Sequence, residues 1–280
     1  MGTSQSSSGP GGGVPLVPPW VPDPAQPVPP SIPADESPQS PSPAVPSVAV
    51  SPSFAPAGRF AGARRSLGAF GRSGNSGHMR RGLGRYTRSG YGGAGTASRR
   101  MGGTAATAGS LAGALAGLAR GGGGASPESP LDPTLLVGKS ADEVMNAVVE
   151  AVRPVDGTLD AEASRAAIFD GLSELLTRFP DADLLNLTPE QTAFAVERYT
   201  ANDVFRRIEL DVGKVVHEKA PSASAAVSRL KQVRDYVKET VAASFKTLRD
   251  AGRALTSRRV EQVVREAIRE TFEVFEGFAE

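Results

Sequence analysis

Apolar residues beyond residue 130 recur at spacings of three and four, which is the period of an α-helix. Ser140 and Glu143 form a capping box, which predicts a helix start, and Pro154 and Gly157 predict its end. One stripe of apolar positions follows this start: Val144, Ala147, Val148, Ala151 and Val152. The pattern predicts a short amphipathic helix between these signals.

Four further helices are predicted by the same period. Capping residues, prolines and glycine bound them: from Asp160 to Pro180, from Thr188 to Pro221, from beyond Pro221 to Gly252, and from Ser257 onward. Val227 belongs to the predicted buried stripe of the fourth helix, and Val274 and Phe278 to that of the fifth. No segment alternates with a period of two, so residues 131–280 are predicted to form an all-α helical bundle.

The first 130 residues have a different composition. They hold 26 of the 32 glycines, and 16 of the 23 prolines lie before residue 57. Such sequence has few large apolar side chains to bury, which is typical of disorder. We therefore expect a flexible Gly/Pro-rich tail at 1–56, an Arg/Gly/Ala-rich low-complexity segment at 57–130 that orders on a partner, and an α-helical domain at 131–280. The expected fold class is therefore all-α: a helical bundle that follows a long disordered amino-terminal half.

Charge is divided along the chain in the same way. Residues 51–120 contain 11 Arg and neither Lys nor an acidic residue, whereas residues 131–280 carry a net charge of −6. Arginines interspersed with Phe60, Phe70, Tyr86 and Tyr91 suit either an acidic protein partner or nucleic acid. We favour a protein partner, because four aromatic residues are sparse and regular RGG repeats are absent.

Motifs for catalysis are weak. Gly138-Lys139-Ser140 resembles the end of a phosphate loop, but Pro133 stands where the Walker pattern needs glycine. His78 and His217 have no second ligand at metal-binding spacing, and there is no cysteine. We therefore assign no catalytic, metal-binding or cofactor-binding residue and expect a non-enzymatic protein. No secretory signal or good membrane span is visible, so we expect a cytoplasmic location.

The amino terminus carries the sharpest chemical hint. Removal of Met1 would leave the α-amine of Gly2 unhindered, and an α-amine has a pKa of about 7.7–8.0, so a usable fraction is nucleophilic. The same start fits the N-myristoylation pattern, which leaves a lipid-anchored scaffold as an alternative. Trp20, the only tryptophan, lies in a proline-rich stretch and could anchor a partner.

The start Met1-Gly2-Thr3-Ser4 and the box from Pro15 to Trp20 resemble the QatB family of the bacterial QatABCD anti-phage system. The resemblance extends to the arginine segment, with Arg80, Arg81, Arg85 and Tyr86, and to the helical carboxyl half. It implies that Trp20 and these four residues contact a partner.

The resemblance also implies an assembly. Its members are a QueC-like enzyme (QatC-type), a KAP-type ATPase and a TatD-like nuclease. The chain would bind the QueC-like enzyme and serve as its substrate, modified at Gly2. ATP and any zinc would belong to that enzyme, so no cofactor is assigned to this chain. The alternative is a nucleic-acid-binding adaptor that uses the arginine segment.

Overall fold

The computed structural model describes residues 58–121, 131–253, 255 and 259–280, and these residues form helices and turns without a β-strand. The helices are α1 (Ala61–Ser73), α2 (Ser76–Arg85), α3 (Ala94–Arg100), α4 (Gly102–Ala119), α5 (Pro133–Leu136), α6 (Ala141–Val152), α7 (Leu159–Arg178), α8 (Pro189–Ile208), α9 (Lys214–Lys219), α10 (Ala223–Asp250) and α11 (Val260–Glu276). Two π-helical turns, Tyr86–Gly90 and Glu209–Gly213, follow α2 and α8. The all-α fold class is confirmed.

Helix boundaries beyond residue 130 follow the predicted signals. Both capping boxes form, one at Ser140 and one at Thr188, and α7 and α10 end where Pro180 and Gly252 predict. The helix predicted to start at Thr188 continues to Lys219, but the π-helical turn Glu209–Gly213 interrupts it. Ser257, the predicted cap of the last helix, lies outside the described residues.

Three apolar residues assigned to buried stripes lie at the surface instead. Val227, Val274 and Phe278 are 64%, 46% and 37% exposed. The residues beside two of them are buried instead, Ala226 next to Val227 and Phe275 next to Val274, and Phe278 lies beyond the end of α11. The hydrophobic period therefore located these helices correctly but placed their buried faces one residue off at these two positions.

The structure corrects the predicted division of the chain for residues 58–121. Helices α1–α4 share one hydrophobic core with α6–α11. The reason is that the scattered large side chains fall at helical spacing, and Phe60, Ala63, Leu67 and Phe70 are all buried on one face of α1. Glycine allows the close approach of α2, because a β-carbon at Gly82 would lie 2.7 Å from the Leu67 side chain. Residues 1–57 and 122–130 lie outside the described residues.

Candidate functional site

Six residues were predicted to act in modification or partner binding, and the structure describes four of them. Gly2 and Trp20 lie outside the described residues. Arg80, Arg81 and Arg85 lie on α2, and Tyr86 opens the π-helical turn that follows it. The four described residues are thus brought together on one short helix, which packs against α1 and α11.

The three arginines contact different neighbours. The guanidinium of Arg80 lies 5.6 Å from the ring centres of both Tyr236 and Phe278. Arg81 donates through Nε to the main-chain carbonyl of Glu280 at 3.1 Å. Arg85 donates to Ser66 Oγ at 3.1 Å, a contact that crosses from α2 to α1. Arg80 and Arg81 are exposed, and Arg85 is half-buried.

The expected partner contact of Tyr86 is corrected by the structure, because its side chain is fully buried. Its ring stacks on Phe60 with centres 5.3 Å apart. Its hydroxyl donates to Asp211 Oδ2 at 2.9 Å, and the hydroxyl of Tyr91 donates to the same oxygen at 2.9 Å. The three residues form what we call the tyrosine–aspartate centre.

The centre lies where the two π-helical turns meet. Tyr86 begins the first turn, Tyr91 follows its last residue, and Asp211 is the middle residue of the second turn. A π-helical turn inserts one residue into a helix and so redirects the side chains around it. Here the two insertions direct two hydroxyls and one carboxylate to a single point between α2 and the α8–α9 junction.

Arg59 brings positive charge to this centre. Its guanidinium lies 4.6 Å from the ring centre of Phe60 and 5.4 Å from that of Tyr91. Arg59 is only 7% exposed, which is unusual for arginine. The two ring faces and the Asp211 carboxylate stabilise its buried charge. Arg59 immediately precedes α1, so its burial fixes the start of that helix beside the centre.

Burial determines how the groups of the centre ionise. It raises the pKa of Tyr86 well above its ordinary value and also raises the pKa of Tyr91, and the Asp211 charge adds to both effects. Both tyrosines are therefore neutral donors near pH 7. Burial also raises the pKa of Asp211, while the hydrogen bonds from Tyr86 and Tyr91 oppose that increase.

A second carboxylate, which is fully buried, lies eight residues earlier in the chain, on α8. Asp203 is 1% exposed and accepts a hydrogen bond of 2.6 Å from Thr104 Oγ1 on α4. The guanidinium of Arg207 approaches it through Nε at 3.8 Å and pairs with Asp160 at 2.9 Å. Burial raises the pKa of Asp203, and Arg207 opposes that increase. These contacts fasten α4 and α7 to α8.

Both carboxylates were missed by the sequence analysis, although a signal existed. Asp211 follows Ile208 by three residues and so falls on the buried face of the predicted helix. An acidic residue on an apolar face needs a hydrogen-bonding partner, which here consists of tyrosines more than a hundred residues earlier in the chain. Chemically, the arrangement holds a carboxylate in place between helices.

No three His, Asp or Glu side chains among the described residues are placed to hold a metal ion. Within the same residues, no helix is both long and apolar enough to cross a membrane. Gly138-Lys139 lies in the turn between α5 and α6, where Lys139 pairs with Glu143 at 3.1 Å rather than facing a phosphate loop.

The fold and the centre together define an all-helical protein whose amino-terminal helices are joined to a carboxyl-terminal bundle through buried polar contacts. A family model described as Qat anti-phage system associated protein QatB matches residues 92–275, and the chain therefore belongs to the QatB family. The resemblance noted in the sequence is confirmed, and the chain is a member of the Qat anti-phage system. No curated protein and no solved structure matches it.

Proposed function

We propose that this chain is a non-enzymatic component of the Qat system that binds a QueC-like enzyme and is modified by that enzyme at Gly2. Membership of the family supports the setting. The observation that carries the proposal is the burial of Arg59, which fixes the chain to the helical body just ahead of α1. Gly2 lies 57 residues earlier in the sequence.

That length of chain is sufficient to reach another protein. At about 3.3–3.6 Å per residue, the residues ahead of Gly58 span at most about 190 Å when fully extended. The body would dock on the enzyme, and the amino terminus would enter its active site. The cytoplasmic location and the neighbouring KAP-type ATPase and TatD-like nuclease belong to the same proposal.

The proposed reaction needs only the α-amine from this chain. The QueC-like enzyme would use ATP to activate the carboxylate of a 7-deazapurine. The neutral nitrogen of Gly2 would then attack the activated carboxyl carbon and form an amide bond. The activating group would leave with the electrons of the broken bond, and the nitrogen would release one proton.

The mass of the amino-terminal peptide after co-expression with the QueC-like enzyme tests this proposal. We expect Met1 to be absent and Gly2 to carry the added acyl group. Gly2→Leu should abolish the added mass, because a bulky second residue retains Met1 and covers the amine. Gly12→Leu makes the same change within the glycine-rich start and should leave the modification unchanged. An unmodified Gly2 in cells that resist phage would refute the substrate role, and a myristoyl mass would favour the lipid-anchored alternative.

A further inference from the structure

Four arginines lie on the first helical hairpin, formed by α1, α2 and the turn that follows α2, and we call this group the arginine face. Arg81 and Arg85 are spaced by four residues on α2 and so share one side, and Arg88 lies three residues further on, in the π-helical turn that follows. Arg85 crosses to α1, because a β-carbon at Gly62 would lie 3.4 Å from its Cδ. There it donates to Ser66, which is next to Arg65. Arg65 completes the arginine face.

Among the described residues, no acidic side chain pairs with this face. Arg65, Arg81 and Arg88 are exposed, and none of the four arginines forms an ion pair with an Asp or Glu side chain in this part of the chain. The surrounding residues 58–121 contain 11 Arg without a single acidic residue. Arginines on the carboxyl-terminal bundle differ in this respect: Arg249, Arg253 and Arg269 pair with Glu197, Glu266 and Glu273.

Clustered like charges repel one another, and a bound anionic surface relieves that repulsion. Two of the side chains are already held in place, Arg85 by Ser66 and Arg81 by the carbonyl of Glu280. Holding a side chain in its bound geometry lowers the entropy that binding would otherwise cost. The face therefore has both the charge and the order expected of a docking surface.

The structure favours a protein over a nucleic acid as the occupant. Phe60, Phe70, Tyr86 and Tyr91 are the aromatic residues interspersed with the arginines, and all four are buried. None is available for the base stacking on which single-strand binding depends. The eight residues from Arg81 to Arg88 extend only about 10 Å along the helix, which corresponds to about three phosphates of one duplex strand.

We propose that the arginine face docks on a carboxylate-rich surface of a partner protein. The planar guanidinium matches the geometry of a carboxylate and can form two parallel hydrogen bonds with it. The identity of that partner rests on the proposed function, in which it is the enzyme that modifies Gly2. The chemistry of the docking surface stands on the geometry of α1 and α2 alone.

Binding of two labelled polyanions to the full-length chain tests the inference. The probes are a 20-residue poly-L-glutamate and a 20-base-pair DNA duplex, measured by fluorescence anisotropy at low and at physiological salt. The test variant combines Arg65→Gln, Arg81→Gln and Arg88→Gln. The control combines Arg249→Gln, Arg253→Gln and Arg269→Gln, which removes the same net charge from exposed arginines elsewhere. Far-UV circular dichroism checks that both variants are folded.

We expect the chain to bind poly-L-glutamate more tightly than the duplex. The test variant should bind poly-L-glutamate about tenfold more weakly, the product of three exposed ion pairs. The control should change binding by less than about twofold. Equal losses in both variants, no binding of poly-L-glutamate, or tighter binding of the duplex through the same arginines would each overturn the inference. Since neither probe involves Gly2, the result is independent of whether Gly2 is modified.

Discussion

The hydrogen bond between Tyr91 and Asp211 can be measured by removing each partner in turn. Tyr91→Phe deletes the hydroxyl, Asp211→Asn removes the charge while keeping the shape, and the double variant completes a thermodynamic cycle. The bond is 2.9 Å long and Tyr91 is 5% exposed. Among the described residues, Tyr86 is the one other hydroxyl that donates to this carboxylate. A hydrogen bond to a charged group contributes about 1.5–3 kcal/mol. We expect Tyr91→Phe to lower the free energy of unfolding by about that amount at pH 7.

The double variant should lose less stability than the two single variants added together. Residues in direct contact couple by about 0.5–3 kcal/mol, and a value near 1 kcal/mol fits a carboxylate that keeps its second donor, Tyr86. The assay is urea unfolding followed by far-UV circular dichroism. Strict additivity of the two single variants would refute the statement that this bond stabilises the fold.

The pH dependence of stability in the same variants tests how Asp211 ionises in the folded state. Burial raises its pKa, so between the ordinary aspartate pKa of about 3.9 and the raised value the folded state binds more protons than the unfolded state. In that interval its contribution to stability falls as pH rises. The wild type should therefore gain stability relative to Asp211→Asn when the pH is lowered from 7 towards 4, with Arg59 and Arg207 limiting the size of the gain. An unchanged difference over this range would show that the carboxyl titrates as an exposed group does.

Three further predictions concern packing and helix ends. Gly171→Ala should destabilise the chain by about 1–3 kcal/mol in urea unfolding, because the new methyl group would lie 2.9 Å from the Tyr199 backbone nitrogen. Gly113→Ala should instead stabilise the chain by about 0.5–1 kcal/mol, because the new methyl group meets no atom within 4 Å and alanine favours a helix. Ser140→Ala should cost about 1 kcal/mol by removing the cap of α6, seen as a lower thermal midpoint. Amides of α1–α4 should be protected from hydrogen exchange in the isolated protein, and rapid exchange throughout these helices would contradict their place in the core.

Sequence reasoning located the carboxyl-terminal helices because their signals are local. A capping box such as Ser140 with Glu143, or a proline at position 189, marks the start of a helix from a few neighbouring residues. The amino-terminal helices carry weaker local signals. Glycine lowers helix propensity, so residues 58–121 are predicted as low complexity unless the contacts that stabilise them are known. Those contacts lie on α8–α11, far away in the sequence.

The buried polar centre was hidden for the same reason. Tyr86 and Tyr91 stand among exposed arginines, so their surroundings in the sequence suggested a surface position. Their partner Asp211 lies on α8–α9, where acidic and basic residues alternate as they do on solvated helix faces. Only the face that Asp211 shares with Ile208 indicated burial, and no local pattern connects it to the tyrosines. Arg80 and Arg81, predicted to contact a partner, are exposed, and that contact stays a prediction.

The junction of the two π-helical turns has a practical consequence for dividing this chain into fragments. The stretch that matches the family begins at residue 92, immediately after Tyr91. A fragment cut there would retain Asp211 but lose both of its hydroxyl donors, and Val216 would lose the helix that packs on it through Gly71. Fragments for expression should therefore start ahead of Gly58, so that they keep α1, α2 and the contacts these helices make with the rest of the core.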